Sequence, residues 1–289
     1  MTTRYTLRAS IAAPPDTVYK ALTDAAALES WFAEHAEVSL EQRTFGFWGR
    51  YTLDGEPGKQ RLLSFQPGRS LSFAWQLQDA ETEVGIVLEP QDDGVLLSLT
   101  HSGVPPRASG EDYWVGDLMM LSLANLASYC EGRGIGPRCD FSSPPAGEAR
   151  GSADIAASPA AVFASLIEPA QLDRWIAVRA EVEPRVGGRY DFGWDHGPVR
   201  ILELEPGKSL AYSWRHSWDD QHGPESTVVR WELDGSQGQT HLTIVHSGFG
   251  QGRRPDGYQL GWMEFLASLK RMHEAGAAWR PVEQVPAAA

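Results

Sequence analysis

The chain contains two copies of one sequence pattern, and this repeat is the feature that most constrains its fold. The segment Ile11–Pro15 (Ile-Ala-Ala-Pro-Pro) returns as Ile155–Pro159 (Ile-Ala-Ala-Ser-Pro), at an offset of 144 residues. A His-Ser-Gly motif at His101–Gly103 returns at His246–Gly248. A period of this length is that of a whole domain, because a solenoid unit spans only about 20–50 residues. The repeat therefore predicts two similar domains in tandem, each of ordinary size.

The composition is that of a folded protein without a nucleic-acid or membrane partner. Hydrophobic residues make up 42% and charged residues 22% of the 289-residue chain, which is ordinary for a globular protein. The formal net charge of −13 disfavours partners that present phosphate groups, because such partners require a basic face. No apolar run reaches the ~20 residues that span a bilayer, and the N-terminal segment lacks the apolar core of a signal peptide. We therefore expect a cytoplasmic protein that does not insert into membranes.

The sequence shows no pattern typical of a metal centre or of a bound cofactor. Cys130 and Cys139 are spaced neither as a disulfide framework nor as a zinc motif. His216 and His222 flank a pair of aspartates, but we interpret this loop as solvated. A Gly-rich phosphate loop, a Gly-x-Ser-x-Gly elbow and a His-Glu-x-x-His motif are missing from the sequence. We predict neither a cofactor nor a metal site.

Each repeat predicts the same order of elements, and this order defines an α+β fold. An alternating strand comes first, and Tyr5 to Ile11 is an example. Two short helices follow, then several strands separated by turn residues. A long helix closes each repeat, from Asp112 to about Cys130 and from Asp256 to about His273. Because a single antiparallel sheet must bury one face, we expect the long helix to cover it.

Composition also sets the predicted domain boundaries. The first domain covers residues 1–134 and the second covers residues 148–278. Between them, residues 135–147 are rich in Gly, Pro and Ser, which is typical of a linker. We expect residues 279–289 to form a flexible tail.

Several motifs of the second repeat resemble the START-like, or SRPBCC, helix-grip superfamily, and within it the branch named after the activator of Hsp90 ATPase (AHSA1-like). The motifs that carry the resemblance are Ala157-Ser158-Pro159-x-x-Val162-Phe163, Leu172-x-x-Trp175, Glu183-Pro184-Arg185-Val186-Gly187-Gly188-Arg189-Tyr190, Leu210-x-Tyr212-x-Trp214, His246-x-Gly248 and Gly261-Trp262. The first repeat departs from this pattern in two places. It has Val38–Gly46 where the family has a Pro-x-x-Gly-Gly turn, and Gly116-Asp117 where the second repeat has Gly261-Trp262.

The resemblance implies two tandem helix-grip domains, each a curved antiparallel sheet wrapped on a long C-terminal helix. It also implies a cavity between sheet and helix that often holds an apolar small molecule. It implies no fixed reaction, because the superfamily includes both binding proteins and cyclases. Since the second repeat is nearer to the family pattern, we expect it to be the better candidate for a working pocket.

His101 and His246 are the candidate catalytic residues. Each follows two aliphatic residues at a spacing of two, so each is predicted to face the cavity. An imidazole has a pKa near neutrality and is therefore suited to general acid or base catalysis. The alternative is a structural hydrogen bond to the loop before the final helix. No carboxylate lies at a fixed short spacing to orient either ring, and we favour the structural role.

The aromatic residues are the candidate ligand-binding residues. The chain has 11 tryptophans, and an indole combines a large apolar surface with an N–H donor. Core packing is the alternative for each of them, and Trp194 and Trp262 are the strongest candidates for lining a pocket. With the two histidines, the predicted ligand-binding set is Trp31, Trp75, His101, Trp114, Trp175, Tyr190, Trp194, Tyr212, Trp214, His246 and Trp262.

We predict that the protein encloses an apolar or aromatic small molecule between sheet and helix. Burial supplies the affinity, and His246 with Tyr212 or Tyr190 orients a polar group of the ligand. One alternative is an enzyme similar to polyketide cyclases or hydrolases that uses a cavity histidine. Another alternative is a chaperone-associated interaction module, as the family name suggests. The sequence favours binding without catalysis.

Overall fold

A computed structural model describes residues 3–105, 115–143, 145–194, 197–214, 227–236, 238–250 and 255–285. The chain divides into two compact units. The first comprises residues 1–144 and 278–289, and the second comprises residues 145–277. Each unit contains one copy of the repeat, and the boundary between residues 144 and 145 lies within the segment predicted as a linker.

The first unit consists of an antiparallel sheet, a separate strand pair, two short helices and one long helix. Its elements are β1 (Thr3–Ile11), α1 (Pro15–Thr23), α2 (Ala25–Trp31), β2 (His35–Ser39), β3 (Thr44–Trp48), β4 (Gln60–Gln66), β5 (Ser70–Leu77), β6 (Ala80–Gln91), β7 (Gly94–Val104) and α3 (Val115–Cys130). Strand order in the sheet is β1-β7-β6-β5-β4, and β2 pairs with β3. Inward-facing residues alternate with exposed ones along β1 and β6, as the sequence pattern predicts.

The second unit repeats this order of elements. They are β8 (Ala149–Ile155), α4 (Pro159–Ile167), α5 (Pro169–Trp175), β9 (Glu181–Val182), β10 (Arg189–Asp191), β11 (Val199–Glu205), β12 (Ser209–Trp214), β13 (Thr227–Ser236), β14 (Gln239–Ser247) and α6 (Asp256–Ala275). The strands form one antiparallel sheet in the order β8-β14-β13-β12-β11-β10-β9. The predicted α+β class and the tandem helix-grip arrangement are confirmed.

Local sequence explains where several elements begin and end. Pro15, Pro159 and Pro169 occupy the first turns of their helices, where a missing N–H carries no cost. Gly276 has φ 56°, a left-handed conformation that favours glycine, and it ends α6. The strand β10 ends at Asp191, and Gly193 then takes φ 71° and turns the chain.

The two long helices differ in their surroundings. Buried residues surround α3 on almost every side, whereas α6 keeps one polar face. Part of the linker covers α3, since the Asn125 side chain accepts a hydrogen bond from the Gly136 N–H at 2.8 Å and donates one to the Pro137 carbonyl at 3.2 Å. These bonds hold the start of the linker on the first unit.

Part of the segment that was expected to be a flexible tail, residues 279–289, forms a strand, and residues 286–289 lie outside the described residues. Residues Glu283–Val285 form β15, which pairs antiparallel with β1 and becomes the edge strand of the first unit's sheet. Thr6 lies opposite Val285, and Arg8 lies opposite Glu283. The physical reason is that an edge strand leaves a row of N–H and C=O groups unpaired, and an extended segment satisfies them. A strand of three residues is too short to produce a recognisable sequence period.

Candidate functional site

In the first unit, His101 lies inside a hydrogen-bonded network that fixes its tautomer. The Thr82 hydroxyl donates to the Trp75 carbonyl at 2.8 Å, so it accepts from His101 Nε2, also at 2.8 Å. His101 Nδ1 is then an acceptor, and the Tyr5 hydroxyl donates to it at 2.9 Å. Both ring nitrogens are engaged, and the ring is 0% exposed.

His246 occupies the matching position in the second unit. Its Nδ1 accepts from Trp262 Nε1 at 3.1 Å, and its Nε2 lies 2.7 Å from the Thr227 hydroxyl. Because an indole N–H only donates, Nδ1 is unprotonated and Nε2 carries the proton. The threonine position is shared by the two units, whereas the Nδ1 donor comes from β1 in one and from α6 in the other.

This geometry supports a structural role for the histidines, but the hydrogen-bond partners described above lie on strands and on α6 and not, as expected, in the loop before the final helix. Burial lowers the pKa of His101 to about 4, so the ring is neutral at pH 7. A neutral imidazole with both nitrogens bonded inside the protein has no free site for a substrate proton. The glycine of the motif is structural too, since Gly103 and Gly248 take φ 77° and 87°.

A cavity of about 40 Å³ lies between the sheet and α3 of the first unit. Among the described residues, those that line it carry no charge. The hydroxyl of Ser122 is already used, because it donates to the Leu118 carbonyl at 2.6 Å. The lining residues are Leu22, Leu28, Trp31, Phe32, Phe45, Phe47, Leu71, Phe73, Val84, Ile86, Leu99, Met119, Ser122 and Leu123.

Strand registers identify what occupies the same positions in the second unit. Ile86 lies opposite Leu71 in the first sheet, and Trp231 lies opposite Leu210 in the second. Trp231 is 1% exposed, and its Nε1 donates to the Tyr212 hydroxyl at 3.1 Å. An indole therefore fills space that borders the cavity in the first unit.

The first strands differ in the opposite sense. Leu7 pairs with Leu99 in the first unit, and Gly151 pairs with Ile244 in the second. A Cβ added to Gly151 would lie 2.7 Å from Leu266 Cδ1, so the missing side chain allows α6 to approach β8 closely. At these two matched positions, the second unit has Trp231 and Gly151 where the first unit has Ile86 and Leu7.

The comparison with known proteins places this geometry in a family. The family model described as "Activator of Hsp90 ATPase homolog 1-like protein" matches residues 12–131 and again residues 156–274. The chain belongs to this family. Its two AHSA1-like repeats correspond to the two units of the structure, and the resemblance seen in the motifs is confirmed.

Solved structures similar to the chain include single-repeat and longer proteins. Protein MLL2253 from Mesorhizobium loti is 25% identical over 45% of this chain and 98% of its own, with a TM-score of 0.40. The Aha1 dimer from Colwellia psychrerythraea is 22% identical over 45% of this chain and 98% of its own, with a TM-score of 0.39. DynU16, from the dynemicin biosynthetic locus, is 16% identical over 93% of this chain and 98% of its own, with a TM-score of 0.33. No curated protein matches significantly. With TM-scores below 0.5, none of these similarities bears on function.

In the second AHSA1-like repeat, the predicted ligand-binding aromatics contact one another. Ring centroids of Trp214 and Trp262 are 5.2 Å apart, and those of Trp194 and Trp214 are 5.9 Å apart. Tyr190 stacks on Tyr212 at 4.7 Å, and its hydroxyl donates to the Leu166 carbonyl at 2.6 Å. Burial raises the pKa of both tyrosines, so they stay neutral. The structure thus joins these residues in one aromatic cluster.

The remaining predicted residues divide between the two repeats. Trp175 contacts Trp231 at 6.2 Å and donates its Nε1 proton to the Ser165 carbonyl. Trp31 lines the cavity of the first repeat, and Trp75 stacks on His101 at 5.9 Å. Trp114 lies outside the described residues.

Sequence reasoning missed the phenylalanines that form much of the cavity wall. Phe45, Phe47 and Phe73 lie within 6.1 Å of one another by ring centroids. The sequence contains a pattern that identifies two of them, because Phe45 and Phe47 alternate along β3 as Tyr190 and Phe192 alternate in the second repeat. The tryptophan content drew the prediction toward indoles instead.

Two buried polar atoms of the first AHSA1-like repeat lack a hydrogen-bond partner among the described residues, namely Tyr19 Oη and Trp75 Nε1. Tyr19 is 9% exposed and Trp75 is 0% exposed. An unpaired buried donor costs about 1–3 kcal/mol, and native structures contain few of them. The burial of Trp75 Nε1 without an acceptor is therefore an unfavourable feature that calls for a physical explanation.

An open depression of about 650 Å³ on the first repeat is charged rather than apolar. Its wall contains Glu34 and Arg50, which form an ion pair, and this pairing lowers the pKa of Glu34 to about 2. Within the part of the chain that the structure describes, no group of acidic, cysteine or histidine side chains is arranged to hold a metal. The described helices also include none with the length and apolarity that a membrane crossing requires.

Proposed function

We propose that the first AHSA1-like repeat binds an uncharged apolar small molecule between its sheet and α3. The observation that carries this proposal is the cavity whose described lining carries no charge and contains one hydroxyl, that of Ser122, which already donates to Leu118. Such a site gains affinity from burying apolar surface, about 25 cal/mol for each Å². A charged ligand would lose its hydration there without gaining a partner, which is costly.

The volume of the cavity limits what enters without rearrangement. At about 40 Å³ it is smaller than an engineered apolar cavity of about 150 Å³ that accepts benzene. A ligand of one aromatic ring therefore requires side chains to move. Met119 lines the cavity on α3, and its unbranched side chain has several rotatable bonds, so it is suited to this adjustment.

This proposal moves the expected site from the second repeat to the first. The sequence favoured the second repeat because it is nearer to the family pattern. Trp231 and the aromatic cluster argue for the first repeat instead, because they fill the space that corresponds to the cavity. The hydrogen bonds of His101 and His246 likewise support binding rather than catalysis.

The proposal is tested by the substitution Ile86→Trp, because the second repeat has Trp231 at the position of Ile86. α-Methylstyrene, an uncharged hydrocarbon, is titrated into wild-type protein and into Ile86→Trp, and binding is measured by calorimetry. We expect binding to the wild type and at least tenfold weaker binding to Ile86→Trp, because the indole fills the cavity. Ile86→Leu is the matched control, since it conserves volume and is expected to bind like the wild type.

Overpacking costs about 1–3 kcal/mol, so thermal unfolding first establishes that each variant is folded. Equal affinity of folded Ile86→Trp and wild type would place the bound molecule elsewhere and contradict the proposal. Native mass spectrometry of freshly purified wild type gives a second readout, in which a retained uncharged molecule supports it.

A further inference from the structure

The indole N–H of Trp75 has no hydrogen-bond acceptor among the described residues, unlike those of Trp31 and Trp231. Trp31 Nε1 donates to the Ala21 carbonyl at 3.0 Å, and Trp231 Nε1 donates to the Tyr212 hydroxyl at 3.1 Å. Trp75 Nε1 is buried and has no acceptor among the described residues. Since burial without an acceptor is unfavourable, an acceptor supplied from outside the chain would stabilise this residue.

The neighbours of Trp75 explain why the protein does not satisfy this donor. His101 stacks parallel to the indole, with an angle of 6° between the rings, and both of its nitrogens bind other groups. The Thr82 hydroxyl accepts from His101 and donates to the backbone carbonyl of Trp75. His101 and Thr82 are thus already engaged with other groups.

Trp75 also lies beside the cavity. It is the second residue after Phe73 on β5, so both side chains point to the same face of the sheet. Phe73 lines the cavity, and the Trp75 ring lies 5.3 Å from that of Phe47, which lines it as well. Trp75 is not itself a lining residue, but it packs against Phe47 in the cavity wall. Contact between its N–H and a ligand therefore requires the side-chain movement that a ligand of one aromatic ring requires in any case.

We propose that the ligand of the first repeat carries one hydrogen-bond acceptor, such as a ketone or ether oxygen, that accepts from Trp75 Nε1. This inference rests on the proposed function and narrows it to a class of ligand. The acceptor is uncharged, because no cation is among the described residues that line the cavity. A ligand with only donor groups does not satisfy the site, since an indole N–H cannot accept.

The experiment compares two ligands of nearly equal shape. Acetophenone has a carbonyl oxygen where α-methylstyrene has a methylene group. Calorimetry gives the affinity of both for the wild type and for Trp75→Phe, which keeps an aromatic ring and removes the N–H. We expect the ratio of ketone affinity to hydrocarbon affinity to fall about three- to tenfold in the variant, as for the loss of one neutral hydrogen bond. The difference in hydration between the two ligands is the same in both experiments, so it cancels when the ratio for the wild type is compared with the ratio for Trp75→Phe.

Nuclear magnetic resonance of the wild type provides a second measurement that does not depend on the folding of the variant. The indole ¹H–¹⁵N resonance of Trp75 should move downfield with acetophenone and not with α-methylstyrene. Trp31 is an internal control, because it lines the same cavity but already donates to Ala21. Its resonance should respond equally to both ligands.

The outcomes separate this inference from the function on which it rests. If neither ligand binds the wild type, the proposed function fails and the inference fails with it. If both ligands bind but the affinity ratio is unchanged in folded Trp75→Phe, the proposed hydrogen bond to an acceptor is contradicted and the proposed apolar site is retained. The same holds if the Trp75 resonance does not shift on addition of the ketone. A ketone-specific shift together with a reduced ratio supports the inference.

Discussion

At the scale of the residue, His101 shows how burial decides the chemistry of an imidazole. Its pKa is lowered from 6.5 to about 4, and the cause is desolvation by burial. Tyr5 and Thr82 engage the two ring nitrogens. Burial raises the pKa of Tyr5, and the charge of Asp117 on α3 raises it further. The neutral ring is thus a structural link between strands, and protonation would oppose folding.

This predicts an acid-sensitive contribution to stability. Between pH 6.5 and 4 the unfolded state binds the proton that the folded state excludes, so stability falls as the pH falls through this window. Relative to pH 7, we expect His101 to account for a loss of about 2 kcal/mol at pH 5. Urea unfolding of wild type and His101→Gln at both values measures it.

Glutamine can donate to Thr82 and accept from Tyr5 without titrating, so the variant should lose less stability on acidification. His273 also has a lowered pKa through burial, but it lies in the second unit and is the same in both proteins. An identical loss in both proteins would exclude His101 as the source.

The alternation of apolar residues predicted that both histidines face inward, and the structure agrees. It could not predict their partners, because Tyr5 lies 96 residues before His101 in the chain. Nor could it predict that Trp231 occupies the position of Ile86, since the register of β13 against β12 depends on turns and not on composition. Periodicity identifies a face, whereas a cavity depends on volumes contributed by several elements.

At the scale of the element, the first strand of each repeat, β1 or β8, has one edge that no described strand of its own repeat covers. The two repeats protect this edge in different ways. In the first unit, β15 pairs with β1. In the second, side chains of α6 bind the backbone of β8: Gln259 bonds both the N–H and the carbonyl of Arg150, and Lys270 donates to the Asp154 carbonyl at 2.7 Å. Unpaired edges are prone to association with other strands, so each device prevents it.

This difference predicts separate hydrogen-exchange effects. Removing residues 283–289 exposes the edge of β1, so the amides of Thr6 and Arg8 should exchange at least tenfold faster. The amide of Arg150 should not change. Gln259→Ala is the matched variant, and it should accelerate Arg150 alone. Slow exchange at Thr6 after truncation would show that β15 does not protect this edge.

At the scale of the molecule, the second unit lies in sequence between two parts of the first. The repeat predicted two domains, and its offset located them. It could not predict that residues 278–289 return to the first unit, because this segment belongs to neither copy of the repeat.

Fragments test this division. We expect residues 145–277 to unfold cooperatively on their own at the temperature at which the second unit melts in the full chain. Residues 1–144 should be less stable than the first unit of the full chain, by about 1 kcal/mol, because the strand pairing with β15 is lost. Thermal unfolding by circular dichroism measures both. A synthetic peptide of residues 278–289 should restore part of the difference, and a fragment unaffected by it would contradict the role of β15.

The position of β15 also has a consequence for biosynthesis. Chains are made from the N-terminus at roughly 5–20 residues per second, and domains fold as they emerge. Because the whole second unit is translated between β7 and β15, the nascent first sheet keeps one border uncovered for roughly ten seconds or more. During that interval, a ribosome-associated factor that recognises extended backbone would have a transient place to bind.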